Sequence, residues 1–373
     1  MGDSNKLVPS IVVGVMGSTG IYLIPLLLGA MVTDRGFTEQ QAGLMASADL
    51  AGYAVTTFLT ALLLNRFSWR RMAFLGIAVM LVANVATTFA HHAPTFAAVR
   101  FLSGLGAGVL AAIANVSLGQ TGNPDRNYGL LFSASLLFGT AGLWGLPLLL
   151  DRFGLNAAYF FIAALAVLVL IAATSLPNSK ATTAVASASG TGRRGWLPAG
   201  AVLLSVALFW MEQNAIYAYL ERIGNASQLS AHFIGFCLGM ANLSGFLGAA
   251  LVAWLGTRFG RLGPLAVSMA MQLACLWALS GHVSSAAYLI ALGCIALAWN
   301  VANPIQLGVL ATVDKDGRAL ALAATVIGVG LAAGPALGAA VLTEGNYDAI
   351  LWVAAGLAVI SFVLVLPALL RRQ

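Results

Sequence analysis

Apolar runs of about twenty residues recur from one end of this chain to the other, each long enough to cross a bilayer core of about 30 Å as a helix. In lipid the backbone must satisfy its own hydrogen bonds, which leaves two options, a helix bundle or a closed barrel. Barrel strands would show as segments of about 10 residues with alternating polarity, and that is not the pattern here. Sixty per cent of the residues are hydrophobic, 8% are charged and the mean hydropathy is +0.92. A soluble chain this apolar could not cover its own surface. The expected fold is therefore an all-α membrane protein with twelve transmembrane helices.

One stretch occurs twice. Ala48-Asp-Leu-Ala-Gly-Tyr53, an apolar run and Asn65-Arg-Phe-Ser-Trp-Arg-Arg71 are echoed by Ala241-Asn-Leu-Ser-Gly-Phe246, a second apolar run and Thr257-Arg-Phe-Gly-Arg261, at offsets of 193 and 192 residues. An internal repeat in an apolar chain points to a secondary transporter built from two six-helix halves, with the substrate path between them. The halves are expected at 1–177 and 198–373. The linker between them, 178–197, contains the Ser/Thr/Ala/Gly-rich stretch Asn178–Gly195.

Basic residues set the orientation. With the leader inside, 14 of the 18 Lys and Arg fall in cytoplasmic segments; Arg35, Arg152 and Arg222 fall outside and Arg100 lies within a span. Both termini are then cytoplasmic. The net charge of +6 follows from this topology and gives no argument for nucleic acid. His91, His92, His232 and His282 all land on the outer side, where interfacial packing is the ordinary role. The odd number of cysteines (Cys237, Cys275, Cys294) offers no disulfide framework.

Twelve spans in two halves, with basic turns after helices 2 and 8, resemble the major facilitator superfamily over almost the whole chain. Arg100, Gly104, Gly106 and Gly108 match its Arg-x-x-x-Gly-x-Gly pattern. The turn Asn65-Arg66-Phe-Ser68-Trp-Arg70-Arg71 is similar to its Asp-Arg-x-Gly-Arg-Arg signature, with Asn65 in place of the acid and Ser68 in place of Gly. Thr257, beside Arg258, stands in the acid's place in the second copy. The resemblance implies a cytoplasmic gating role for Asn65, Arg66, Arg70, Thr257 and Arg258, with a latch weakened by the missing charge. Size and short loops look most like the bacterial efflux-type branch, which places the protein in the inner membrane. Helix 5 lacks the Gly-Pro pair typical of drug–proton antiporters; Gly334-Pro335 in helix 11 is the comparable pair.

Three ionisable groups sit well within apolar spans: Asp49, Arg100 and Glu212. Each would cost roughly 2.5 kcal/mol or more at the bilayer centre, which makes each a functional candidate. Asp49 and Glu212 lie at similar depth, both about 13 Å below the outer surface at 1.5 Å per residue. Arg100 can neutralise one acid, either of the two, and the pair would then staple helices. The other acid must bind a proton, a solute or a cation when water leaves it. Glu212 is the first choice for proton coupling because its helix should face the cavity, and Asp49 is the second. Helices 1, 4, 7 and 10 line the cavity in the resembled family. That resemblance implies solute contacts at Tyr22, Arg100, Asn115, Gln213, Asn214, Tyr217, Trp299, Asn300, Asn303 and Gln306, with helix packing as the alternative at each. Such a mixed aromatic and amide lining suits a small neutral or amphipathic organic solute.

No phosphate-cradling Gly-Lys-Ser/Thr loop, metal-ligand spacing or nucleophile with a base is present, so no enzyme, metal or cofactor is expected. The expected partners are a small-molecule substrate, protons and the lipid bilayer, with the chain a monomer. Three other readings stand beside a proton-coupled symporter or antiporter. They are an organic-anion transporter using Arg100, a passive facilitator, and a non-transporting membrane scaffold.

Overall fold

The structure is a computed structural model, and it describes residues 4–63, 67–176, 196–255, 258, 260–314, 318–343 and 345–370. The chain divides into two compact units, Met1–Val185 and Ala186–Gln373. The expected linker lies outside the described residues, apart from Trp196 and Leu197, which begin a helix.

The first unit holds α1 (Ser4–Arg35), α2 (Glu39–Leu63), α3 (Trp69–Thr87), α4 (Ala93–Gly119) and α5 (Pro124–Thr174). At 51 residues, α5 is far too long for one span, and it breaks at Gly154, whose φ of 69° and ψ of −176° suit a residue without a Cβ. Asp34 at the end of α1 accepts the freed N–H of Leu155 at 2.8 Å, so the second arm starts with a capped donor. The second unit holds α6 (Trp196–Ala226), α7 (Ala231–Leu255), α8 (Leu262–Ala278), α9 (Ser285–Val313), α10 (Arg318–Val341) and α11 (Asp348–Leu370). With α5 counted as two arms, the twelve expected helices are present. Nine of the described helices are long and apolar enough to cross a membrane, α5 counting once.

Small residues decide which helices touch. On α4, Gly104 and Gly108 lie against the backbone of α2 at Asp49 and Tyr53, while Gly106 lies against α3 at Gly76 and Met80. A Cβ at any of the three would overlap that backbone. The glycine spacing therefore wedges α4 between two neighbours. Thr56 on α2 adds a hydrogen bond to the Leu105 carbonyl at 2.8 Å. In the second unit Gly330, Gly334 and Gly338, one turn apart on α10, meet α6 at Ala207, Met211 and the Tyr219 ring. An apolar core that includes Val202, Phe209, Leu265, Val309 and Val365 fills the space between α6, α8, α9 and α11.

Candidate functional site

Arg100 stands four residues before Gly104 and so shares the face that α4 turns toward α2. Its side chain is 3% exposed and forms an ion pair with Asp49, which is 15% exposed. The remaining donors reach α3, at 3.0 Å to Asn84 Oδ1 and 3.5 Å to Thr87 Oγ1. The guanidinium carbon lies 4.8 Å from the ring centroid of Tyr159 on the second arm of α5, within cation–π range. One arginine thus ties four helical segments together. Of the two acids open to it in the sequence, it takes Asp49.

The first unit carries a half-open cavity of about 290 Å³, lined by residues of α1, α2, α4 and α5 that include Ser18, Tyr22, Tyr53, Asn115, Tyr128 and Ser135. No charged side chain is among its described lining residues. Asp49 is not among the lining residues; it precedes the lining Tyr53 by one helical turn on α2, and a Cβ at Gly20 of α1 would stand 3.6 Å from its Oδ2. Tyr128 anchors one wall by donating to the Asn115 carbonyl at 2.7 Å. Sequence reading placed Tyr22 and Asn115 here and missed Ser18, Tyr53, Tyr128, Phe132 and Ser135. The helical period was available as a signal, since Ser18 and Tyr22 are four apart and Tyr128 and Ser135 seven.

In the second unit Glu212 is fully buried and accepts from Gln272 Nε2 on α8 at 2.7 and 2.9 Å, one bond to each carboxylate oxygen. Gln213 Nε2 donates to Oε1 at 2.9 Å. Glu212 and Gln213 are thus gathered with α8. Sequence reading did not single out Gln272, although an amide inside an otherwise apolar helix was the available signal. Asn214, also buried, bonds the Trp210 carbonyl at 2.8 Å. Trp299 packs edge-on against Trp210 with centroids 5.3 Å apart, and Trp210 Nε1 donates to Asn303 at 3.2 Å. Asn300 bonds back to the Ala296 carbonyl. Tyr217 is half-buried on α6. Gln306 leaves this group: it is 1% exposed and reaches Ser361 on α11.

Of the expected gating residues, Asn65, Arg66 and Thr257 lie outside the described residues. Arg70 donates from Nε to the Leu176 carbonyl at 3.1 Å, closing the end of α5 within its own unit. Arg258 is exposed in the turn before α8.

An architecture of helices throughout the described residues, apolar spans and a twice-used helix crossing define a multi-pass membrane protein. The sequence matches the Major Facilitator Superfamily over residues 10–314 and again over 202–373, and the chain belongs to that family. It is a secondary transporter and not an enzyme. The fold is similar to that of the nucleoside transporter NupG, with a TM-score of 0.76, 13% identity and 98% of each chain covered. It is also similar to a bacterial homologue of the human drug peptide transporters PepT1 and PepT2, with a TM-score of 0.73, 13% identity and 99% of this chain and 98% of that one covered. No curated protein matches the chain by sequence. The family match covers the superfamily as a whole and selects no branch within it.

Proposed function

We propose that the protein is a secondary active transporter that carries a small neutral or amphipathic organic solute by alternating access, with protons as the coupling ion. It would act as a monomer in a bacterial inner membrane, with halves at 1–177 and 198–373 and both termini cytoplasmic. The observation that carries this reading is the polar cavity of the first unit, the one lined by Tyr22, Tyr53 and Asn115. Hydroxyls, an amide and aromatic rings line it, which favours a solute held by hydrogen bonds and ring contact rather than by fixed charge.

Asp49 is the coupling acid in this reading. It stands one helical turn from the lining residue Tyr53, whereas Glu212 is turned toward α8. A carboxyl that meets water at one stage of a cycle and is dried at the next can release and rebind a proton. Arg100 holds the ionised form in place. An organic-anion role for Arg100 is disfavoured, because its donors already serve Asp49, Asn84 and Thr87.

The test begins with a thermal-stabilisation screen across neutral, anionic and cationic compounds. Flux of the best stabiliser is then measured in proteoliposomes with an imposed pH gradient. Neutral compounds should stabilise, and the wild type should accumulate them down the proton gradient. Asp49→Asn should retain exchange and lose accumulation. Preferential stabilisation by anions would sink the neutral-solute reading, and wild-type flux indifferent to the gradient would make the protein a passive facilitator.

A further inference from the structure

Glu212 presents a different problem from Asp49. It lies at mid-span, about 24 Å from the start of α6 and about 21 Å from its end at 1.5 Å per residue. Its side chain has no exposure to solvent. Among the described residues no Lys, Arg or His pairs with it, and its hydrogen-bond partners are the amides of Gln213 and Gln272. A lone carboxylate in the hydrocarbon region is expensive. What surrounds it is a shell of amides: Gln272, 1% exposed, donates to both carboxylate oxygens, and Gln213, 4% exposed, donates to one.

An amide is two-sided. A half-turn of its terminal group exchanges the N–H donor for a carbonyl acceptor of nearly the same shape. Turned that way, Gln213 and Gln272 would present two oxygens beside the two of Glu212. Four oxygen atoms from three buried side chains make a ligand set for a hard cation. The charge selects the valence. One carboxylate balances one positive charge, and a divalent ion would leave an uncompensated charge at the same depth.

We infer that Glu212, Gln213 and Gln272 form a binding site for a small monovalent cation inside the second unit, separate from the cavity of the first. Sodium is the probe. The inference rests on the chain being a transporter and is independent of the solute and of proton coupling at Asp49. Gln213 and Gln272 turn their amides when the ion arrives, so the same three side chains serve the loaded and unloaded states. Ion binding then joins α6 to α8 more firmly than the amide bonds do.

The experiment uses the full-length protein in nanodiscs at fixed pH and ionic strength, with sodium, lithium, potassium or N-methylglucamine as the chloride salt. Melting temperature and binding of radioactive sodium by scintillation proximity are both read. Sodium should raise the melting temperature saturably and bind once per chain, with potassium at least tenfold weaker and N-methylglucamine inert. Glu212→Gln should abolish both effects. Gln272→Leu keeps the carboxylate and should weaken sodium at least tenfold, and it carries the test if the Glu212 variant does not fold. Asp49→Asn should leave sodium binding intact. Equal effects of all four salts, no sodium bound to the wild type, or sodium binding unchanged by Gln272→Leu would overturn the inference. Loss of pH-gradient flux with sodium binding intact would instead strike the proton-coupled reading alone.

Discussion

The α2–α4 crossing of the first unit and the α7–α9 crossing of the second come from the same repeated block but treat charge in opposite ways. In the first, Asp49 meets Arg100, and a threonine on α2 reaches a carbonyl of α4 at 2.8 Å. In the second, Asn242 takes the place of Asp49, α9 carries no basic residue, and Ser244 on α7 reaches the Gly293 carbonyl at 2.8 Å. Glycines on the first helix of each pair, Gly52 and Gly245, keep the contact close in both. The helix packing has thus been retained while the ionic pair is present in one copy only. Packing at this crossing depends on small residues, and the ion pair is an addition that must be complete or absent. Nδ2 of Asn242 is buried without a partner, a cost of the kind a neutral amide can bear and a carboxylate cannot.

The largest test of that contrast is Arg100→Leu. It strands Asp49 and removes the donors to Asn84 and Thr87, and breaking a buried pair from one side typically costs about 3–5 kcal/mol. Thermal unfolding in nanodiscs should show it. Asp49→Asn combined with Arg100→Leu copies the neutral second crossing and should recover most of the loss. A double variant as unstable as the single one would mean that the arginine acts through packing and not charge. Next in size is Asn242→Asp, which puts an acid at the second crossing without a cation; on insertion scales the cost is about 2.5 kcal/mol or more. Unchanged stability there would show that the second crossing tolerates charge after all.

Smaller again is Gly104→Ala, where the new methyl meets the backbone of α2 at Asp49. Overpacking of this kind costs about 1–3 kcal/mol. Gly129→Ala, with nothing within 4 Å, is the matched control and should be neutral or slightly stabilising. Equal effects at the two glycines would remove the close approach from the account.

These results also mark what the sequence could convey. Spans and repeat depend on composition along the chain, and they were legible in the apolar runs and the twice-used block. Arg100 and its glycines were legible as a motif, and the four-residue spacing already places them on one face. The partner of Arg100 was not, because Asp49 and Glu212 share a depth and depth is all that counting residues supplies. What separates them is the direction each carboxyl takes around its helix. Tertiary packing sets that direction: α2 is held against α4 by Gly104 and Gly108, while α6 turns Glu212 toward Gln272. The same gap hid Tyr53 and Tyr128 in the cavity and misplaced Gln306, which faces α11. The break in α5 was legible in outline, because Asp151 and Arg152 interrupt the apolar run and Arg152 is expected outside; that the turn is made at Gly154 is visible only in its φ and the Asp34 cap.

The smallest expected effect sharpens the contrast from its neutral side. Ser205 on α6 and Ser361 on α11 exchange hydrogen bonds, each hydroxyl donating to the other's backbone carbonyl at 2.7 and 2.9 Å. Both serines are fully buried, so neither hydroxyl has water as an alternative partner. Ser205→Ala removes one donor and leaves the Ser361 carbonyl without its bond, at a cost of about 1 kcal/mol. Unlike the Asp49–Arg100 case, no charge is stranded, and because alanine leaves both backbone carbonyls in place the double variant should lose about the sum of the singles, about 2 kcal/mol. Melting curves of Ser205→Ala, Ser361→Ala and the double variant close the cycle. If the single serine changes matched Arg100→Leu in size, the distinction between ionic and neutral polar contacts in this protein would fail. A loss near 1 kcal/mol in each single variant, with the double near their sum and no recovery, would place the ionic pair of the first crossing in a class of its own.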